Sequence, residues 1–333
     1  MQEIGSEFWD VPTKGQQNYV FPDCTQWYLS GRSALQAIIA ELGAARSVSM
    51  PSWCCDSMIK PFADAGMKIR FYPVYARGRI VQEVDFDCDV LFLMDYFGYS
   101  SQQPDLSDWH GVIIRDVTHS VFSETYRDAD YYFGSLRKWC GVWTGGYSWT
   151  RDGHQLSMEN TGDHGYTQLR ENAMRLKEQY INGQGTAGKE YLQVFSEAEN
   201  SLKWTAIAPA AERDIVLAQK IDVQFIKARR QANAKVLRDA FPDWLIFPEM
   251  KETDCPLFVP VLVPKGQRNE LRQHLIRQEI YCPVHWPVRE YDELDVRTRH
   301  IYENELSLVC DQRYTEEDMN RMVKAIKTFW TEM

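Results

Sequence analysis

Apolar residues at positions 35, 38, 39 and 42 recur with the spacing of one helix face, and Gly43 supplies a stop. The segment from Ala34 therefore predicts an amphipathic helix, opened by the small-residue turn Ser30-Gly31-Arg32-Ser33. The period then shortens. Residues 47–50, 68–74, 89–94, 111–115 and 130–133 read as strands, and residues 56–65 as a helix stopped by Gly66. The runs 90–94 and 112–114 are continuously apolar, which suits strands covered on both faces by helices in a parallel sheet. From about residue 163 the helical period returns. Residues 169–180, 189–202 and 212–241 predict helices, with a glycine break over 183–188. After Pro242, residues 257–263 read as a strand and 267–278 as a helix. Thr315 caps a last amphipathic helix carrying Met319, Met322, Val323 and Ile326 on one face. The alternation predicts a doubly wound α/β domain over residues 1–240, including the helical region 163–240, and a small α+β domain over 241–333.

Composition narrows the function classes. The chain of 333 residues has 37 Lys and Arg against 47 Asp and Glu, a net charge of −10. That balance argues against nucleic-acid binding but leaves room for a small anion in a local positive site. No segment reaches the ~20 apolar residues of a membrane span, and Met1 to Gly15 lacks the basic and apolar parts of a secretory signal. Eight scattered cysteines without a CxxC pair read as reduced, mostly buried thiols, which fits a cytoplasmic protein. Metal ligation is not expected. The first thirty residues are rich in aromatics, among them Phe8, Trp9, Tyr19, Phe21, Trp27 and Tyr28.

Four clusters can carry chemistry, and each also has a plain structural reading. The turn at Gly31, Arg32 and Ser33 opens a helix, where backbone N–H groups and the dipole favour an oxyanion; Ser33 could equally be an ordinary cap. Asp116 and His119 follow an apolar strand at the end where open α/β sheets bind ligands, although Asp116 could be a capping acid. Lys138 lies among aromatic and apolar residues next to Arg137. Partial burial and repulsion would both favour a neutral, nucleophilic amine, against the commoner fate of a surface lysine. Gly145-Gly146 allows a tight turn or close backbone approach before a returning strand.

The order of these clusters resembles fold-type-I pyridoxal-phosphate enzymes, and more narrowly the DegT/DnrJ/EryC1/StrS aminotransferases that act on keto sugars. SGRSAL at 30–35, PSWCCDS at 51–57, IIRDVTHSVFS at 113–123 and GSLRKWCGVWTGGY at 134–147 are similar to the motifs of that family. So are IYCPVHWPV at 280–288 and LSLVCDQRYTEEDM at 306–319. The resemblance covers most of the chain. It implies an α/β fold of that type, a mostly parallel central sheet flanked by helices, and pyridoxal 5'-phosphate as cofactor.

The resemblance also implies roles. Lys138 would be the Schiff-base lysine and proton shuttle, and Asp116 would pair with the pyridinium nitrogen. Gly31, Arg32, Ser33 and Ser135 would hold the phosphate, and His119 would lie near the ring. His285 would line the sugar pocket, with Arg137 a second substrate-side candidate. The aromatic that stacks on the ring in the family falls at Cys55 here, which leaves Trp53 as the alternative, and Arg115 replaces a glutamate. A homodimer is implied, with a phosphate ligand from the partner subunit. Arg229, Arg230 and Asn233 are conspicuous for that role but read more simply as the solvated face of a long helix. The implied reaction moves an amino group from an amino acid, glutamate in the first instance, to a keto sugar, in the family usually nucleotide-linked and destined for polysaccharide. Other reactions of the same cofactor, or a cofactor-binding regulatory protein without turnover, are the competing readings. Retention of the lysine disfavours the dehydratase variant, which has histidine there.

Overall fold

The computed structural model describes residues 3–14, 21–100, 103–124, 128–159, 163, 165–184, 188–202, 207–288 and 294–332. Tyr19 and part of the glycine break at 183–188 lie outside them. In chain order the strands are β1 (Ile4–Gly5), β2 (Gln26–Tyr28), β3 (Ser47–Pro51), β4 (Lys68–Tyr72), β5 (Val74–Ala76), β6 (Ile80–Gln82) and β7 (Val90–Met94). They continue with β8 (Val112–Asp116), β9 (Tyr131–Ser135), β10 (Gly146–Thr150), β11 (Val259–Leu262), β12 (Ile280–Tyr281) and β13 (Glu305–Leu308). The helices are α1 (Gly31–Glu41), α2 (Asp56–Asp64), α3 (Tyr166–Ile181), α4 (Tyr191–Ser201), α5 (Glu212–Ala218), α6 (Val223–Ala240), α7 (Arg268–Arg277), α8 (Val296–Asn304) and α9 (Glu316–Thr331). Among the described residues no helix is long and apolar enough to cross a membrane.

The chain forms two compact units. The first comprises residues 1–6, 45–128 and 224–333, and the second residues 7–44 and 129–223. Residues 241–333 and 45–128 both fall in the first of these units.

In the first unit β3 pairs in parallel with β4 and with β7, and β7 in parallel with β8. All five residues of β7 are buried, which accounts for its unbroken apolar sequence. The register sets Met94 opposite Asp116, so β8 ends on a buried carboxylate. A separate core gathers β11, β13, α7 and α9 around Val259, Val261, Leu306, Leu308, Met322 and Ile326. Thr315 caps α9 reciprocally with Asp318, as the sequence signals. In the second unit β10 is antiparallel to both β2 and β9.

Two expectations are corrected. The long helix expected over 212–241 is broken into α5 and α6. The backbone between them pairs with the amino-terminal segment instead: Lys14 N–H donates to Lys220 O at 2.8 Å and Asp222 N–H to Pro12 O at 2.8 Å. A Lys14–Asp222 ion pair of 3.0 Å fixes that crossing. Nor do Arg230 and Asn233 form a solvated face, since both are 0% exposed. Arg230 donates to Gln312 Oε1 and to the carbonyls of Pro256 and Leu257, and Asn233 donates to the carbonyls of Asp311 and Tyr314. These side chains satisfy loop carbonyls that burial would otherwise leave unpaired. Arg229 is half-buried. The cysteines are free thiols, five of them buried, as expected.

Candidate active site

In the second unit α1 starts from an extended Ser30 (φ −150°, ψ 163°), whose hydroxyl accepts the Ser33 N–H at 3.1 Å. Ser30 is therefore the cap, and Ser33 stands inside the first turn. The N–H groups of Gly31 and Arg32 belong to that turn, where a helix offers no internal acceptor and the dipole is positive. Arg32 sends its guanidinium to Leu202 O at 3.3 Å, leaving its backbone for the turn.

The end of β9 packs against this turn. A Cβ on Gly31 would meet Gly134 O at 3.2 Å and Ser135 Cβ at 3.3 Å. Ser135 is 7% exposed, and its Oγ has no hydrogen-bond partner among the described residues. An unpaired buried hydroxyl costs about 1–3 kcal/mol, so this position is built to meet an acceptor supplied from outside the chain. Helix N–H groups and an orphaned hydroxyl together fit a phosphate.

The two glycines of the run have different causes. Gly145 takes φ +106°, which residues with a side chain rarely adopt, and its carbonyl accepts Leu136 N–H at 2.8 Å. Gly146, in β10, passes under the turn: a Cβ there would lie 2.0 Å from Ser30 O. Gly146→Ala is expected to destabilise the protein by at least about 2 kcal/mol, because backbone rather than a flexible side chain would have to move. A urea midpoint equal to wild type would refute this packing.

After Ser135 the chain makes a single 3₁₀ turn over Leu136–Lys138. Leu136 and Trp139 are buried, but Lys138 is exposed, which corrects the expected partial burial. The short turn anchors its neighbours and leaves the amine accessible. Arg137 is not a bare repelling charge either. It pairs with Glu199 and donates to Tyr166 Oη at 2.5 Å. Burial opposes ionisation of Glu199, but Arg137 and then Lys138 outweigh it and hold the carboxyl down at about 2. Burial acts against Glu7 in the same way, and Arg170, Lys138 and Arg137 bring it below the ordinary carboxylate range. Arg170 reaches Glu7 at 3.2 Å and lies over the Phe195 ring. Lys138 thus stands in a network of alternating charges. As a substrate ligand, Arg137 would have to share its guanidinium with Glu199.

The first unit carries the remaining candidates. Asp116 is 3% exposed, and its Oδ1 accepts Thr118 N–H at 2.8 Å. It is thus both a local capping acid and a buried carboxylate at a strand end. Arg115 faces the other side of β8 and pairs with Asp95 at 2.9 Å, which accounts for a cation beside Asp116. His119 Nδ1 accepts Phe97 N–H at 3.3 Å, and its ring stacks on Trp286 (centroids 6.1 Å apart, 18° between planes). Trp53 does not stand ready to stack on a ligand. It is 0% exposed, stacked on Tyr96 at 5.0 Å, and its indole N–H donates to His285 O. The half-buried Trp286 is the more accessible indole of this cluster. His285 is half-buried, with Nδ1 2.8 Å from Ser307 Oγ.

Glu7, Tyr166, Arg170 and Glu199 were not singled out by sequence reasoning. Arg137 meets Glu199 across 62 residues and Tyr166 across 29, so no local spacing could reveal them. Glu305 was also missed, although the alternation Glu305-Leu306-Ser307-Leu308 places the acid and the serine on one face of a strand. Among the described residues no group of His, Cys, Asp and Glu could hold a metal ion.

No protein-family model matches the sequence, and no curated protein matches it significantly. Solved structures do resemble it. PseC of Helicobacter pylori, an aminotransferase involved in the biosynthesis of pseudoaminic acid, is 13% identical with a TM-score of 0.62, over 98% of this chain and 100% of that one. The aminotransferase TlmJ of Streptoalloteichus hindustanus is 15% identical with a TM-score of 0.61, over 92% of this chain and 86% of its own. A DegT DnrJ EryC1 StrS aminotransferase of Brucella abortus is 14% identical with a TM-score of 0.59, over 92% of this chain and 85% of that one. The chain has the fold of the DegT/DnrJ/EryC1/StrS aminotransferases.

Proposed function

We propose that the protein is a pyridoxal-phosphate-dependent aminotransferase that moves an amino group from an amino acid, glutamate first, to a keto sugar. A nucleotide-linked sugar for polysaccharide synthesis is the acceptor class, and the enzyme acts as a cytoplasmic homodimer. One observation carries the reading. The amine of Lys138 is accessible three residues after Ser135, whose buried hydroxyl lacks a partner beside the first turn of α1.

When bound, pyridoxal phosphate supplies an electron sink that makes the amino-acid α-proton removable. The chain supplies the rest. Ser135 Oγ and the N–H groups of Gly31 and Arg32 would bind phosphate oxygens, and Ser33 is held by Ser30 so that the turn keeps its shape. Lys138 would hold the cofactor through its amine and would carry a proton at Nζ. Asp116, a buried carboxylate, would hold a proton on the ring nitrogen. His119 and His285 serve the ring and the sugar respectively.

The test is a single-turnover assay. Purified protein loaded with pyridoxal phosphate and mixed with glutamate should release 2-oxoglutarate in proportion to enzyme, and the aminated enzyme should then convert a keto sugar from a nucleotide-sugar panel. No keto acid from glutamate or any other amino acid would overturn the proposal. Asp116→Asn should retain attached cofactor yet lower turnover roughly a hundredfold or more, the scale of losing one placed proton. Wild-type kcat in that variant would remove Asp116 from its role.

A further inference from the structure

In the first unit a buried acid, a hydroxyl and an imidazole form an unbroken hydrogen-bonded line. Glu305 is 0% exposed at the start of β13. Its Oε1 accepts Ser307 Oγ–H at 2.5 Å, and its Oε2 accepts the backbone N–H of His285 at 2.7 Å. Ser307, also buried, lies with Oγ 2.8 Å from His285 Nδ1. β-strand alternation creates the first link, since residues two apart share a face.

We infer that Glu305 and Ser307 are positioning residues that form a proton relay with His285, deciding which ring nitrogen carries the proton and making Nε2 an acid–base group toward the sugar. The role toward a sugar rests on the function proposed above; the relay itself does not.

Ser307 has a single hydroxyl proton. While that proton goes to an ionised Glu305, Ser307 can only accept from the ring, so Nδ1 must bear a hydrogen. With one further proton on the relay, Nε2 bears a hydrogen too and is a donor. That proton can also be stored on the acid. The Nδ1 hydrogen moves to Ser307 Oγ as the Ser307 hydrogen moves to Glu305 Oε1. The ring is then neutral, with its hydrogen on Nε2, and the acid is uncharged. In both arrangements Nε2 donates. When the relay loses its proton, the ring keeps only the Nδ1 hydrogen and Nε2 becomes an acceptor.

The surroundings favour keeping that proton near neutral pH. Burial pushes the Glu305 carboxyl up to about 8, against the lowering influence of Ser307, the His285 N–H and Arg268. Arg268, on α7, donates to the Glu305 carbonyl at 2.9 Å rather than to its carboxylate. Other ionisable neighbours among the described residues are Cys282, whose thiol is raised mainly by burial, Arg272, bonded to the Cys282 carbonyl, and His119, whose ring lies 5.9 Å from that of His285.

The deciding experiment follows the His285 ring nitrogens by NMR in full-length protein labelled with 15N-histidine, titrated with pH, the signal being assigned by its loss in His285→Gln. In wild type the Nδ1 resonance should keep protonated character on the alkaline side of the transition. Glu305→Gln should lower the ring's midpoint by about one pH unit or more, since a neighbouring negative charge is removed. Ser307→Ala should release the tautomer preference, and Ser307→Thr should restore it. In the transfer assay the alkaline limb of the kcat profile should move with the ring midpoint, a change that mere loss of packing would not produce. A His285 midpoint and tautomer unchanged in folded Glu305→Gln and Ser307→Ala proteins would overturn the relay. Absence of cofactor binding would instead defeat the proposed function and leave the NMR result standing.

Discussion

Replacing Lys138 with alanine is expected to abolish turnover and covalent capture of the cofactor while leaving the fold intact. The side chain is exposed, and the turn around it is held by groups that the substitution spares. Leu136 and Trp139 are buried, Leu136 N–H donates to Gly145 O at 2.8 Å, and Trp139 N–H to Leu136 O at 2.8 Å. An exposed substitution outside such contacts changes stability by about 0.5 kcal/mol or less. Chemically nothing replaces the amine, because the neighbouring cation is a guanidinium already paired with Glu199. Lys138→Arg separates two functions. It keeps the positive charge that Glu7 and Glu199 feel, yet a guanidinium stays protonated and cannot act as the attacking amine. Both variants should therefore fail. Borohydride treatment of the wild type with pyridoxal phosphate should fix mass on the peptide containing Lys138, and on no peptide of either variant. Fixation on a different lysine, or aminotransfer by Lys138→Ala at the wild-type rate, would dismantle the site.

The parts legible from sequence were those whose cause is local. The first helix was marked by its spacing and by Gly43, the last by Thr315 and its amphipathic face, and β7 and β8 by apolar runs that only double coverage explains. The cap on α1 was misplaced by three residues because Ser30 and Ser33 offer the same hydroxyl, and only backbone angles distinguish them. What could not be read was long-range. The break between α5 and α6 depends on pairing with residues 12–14, and the burial of Arg230 depends on Gln312, 82 residues away. Arg137 looked like a lone charge because its partner lies on α4. Helical spacing shows which positions share a face but not what that face meets. The solvated reading of Arg230 and Asn233 failed there, where distant loop carbonyls make buried polar side chains favourable.

Asp95→Ala should be the most damaging single change to stability. Asp95 and Arg115 are nearly fully enclosed, 2.9 Å apart, and Asp95 also accepts the Ser120 hydroxyl. Arg115 Nε already lacks a partner among the described residues, so the carboxylate is the principal compensation for that buried cation. Removing one member of such a pair typically costs about 3–5 kcal/mol, because the other charge stays behind without water. That is a large share of the ~5–15 kcal/mol that holds a domain folded. Arg115→Met alone should cost less, since a buried carboxylate can take up a proton whereas a guanidinium cannot give one up. The double variant Asp95→Ala with Arg115→Met should recover much of the loss, giving a coupling of about 2 kcal/mol or more in a urea-unfolding cycle. Additive losses would show that the pair contributes nothing as a pair. Asp116 projects to the opposite face of β8, so activity per folded molecule should stay within about threefold of wild type in the double variant. The cation beside Asp116 then serves the packing of the strand rather than the carboxylate at its end.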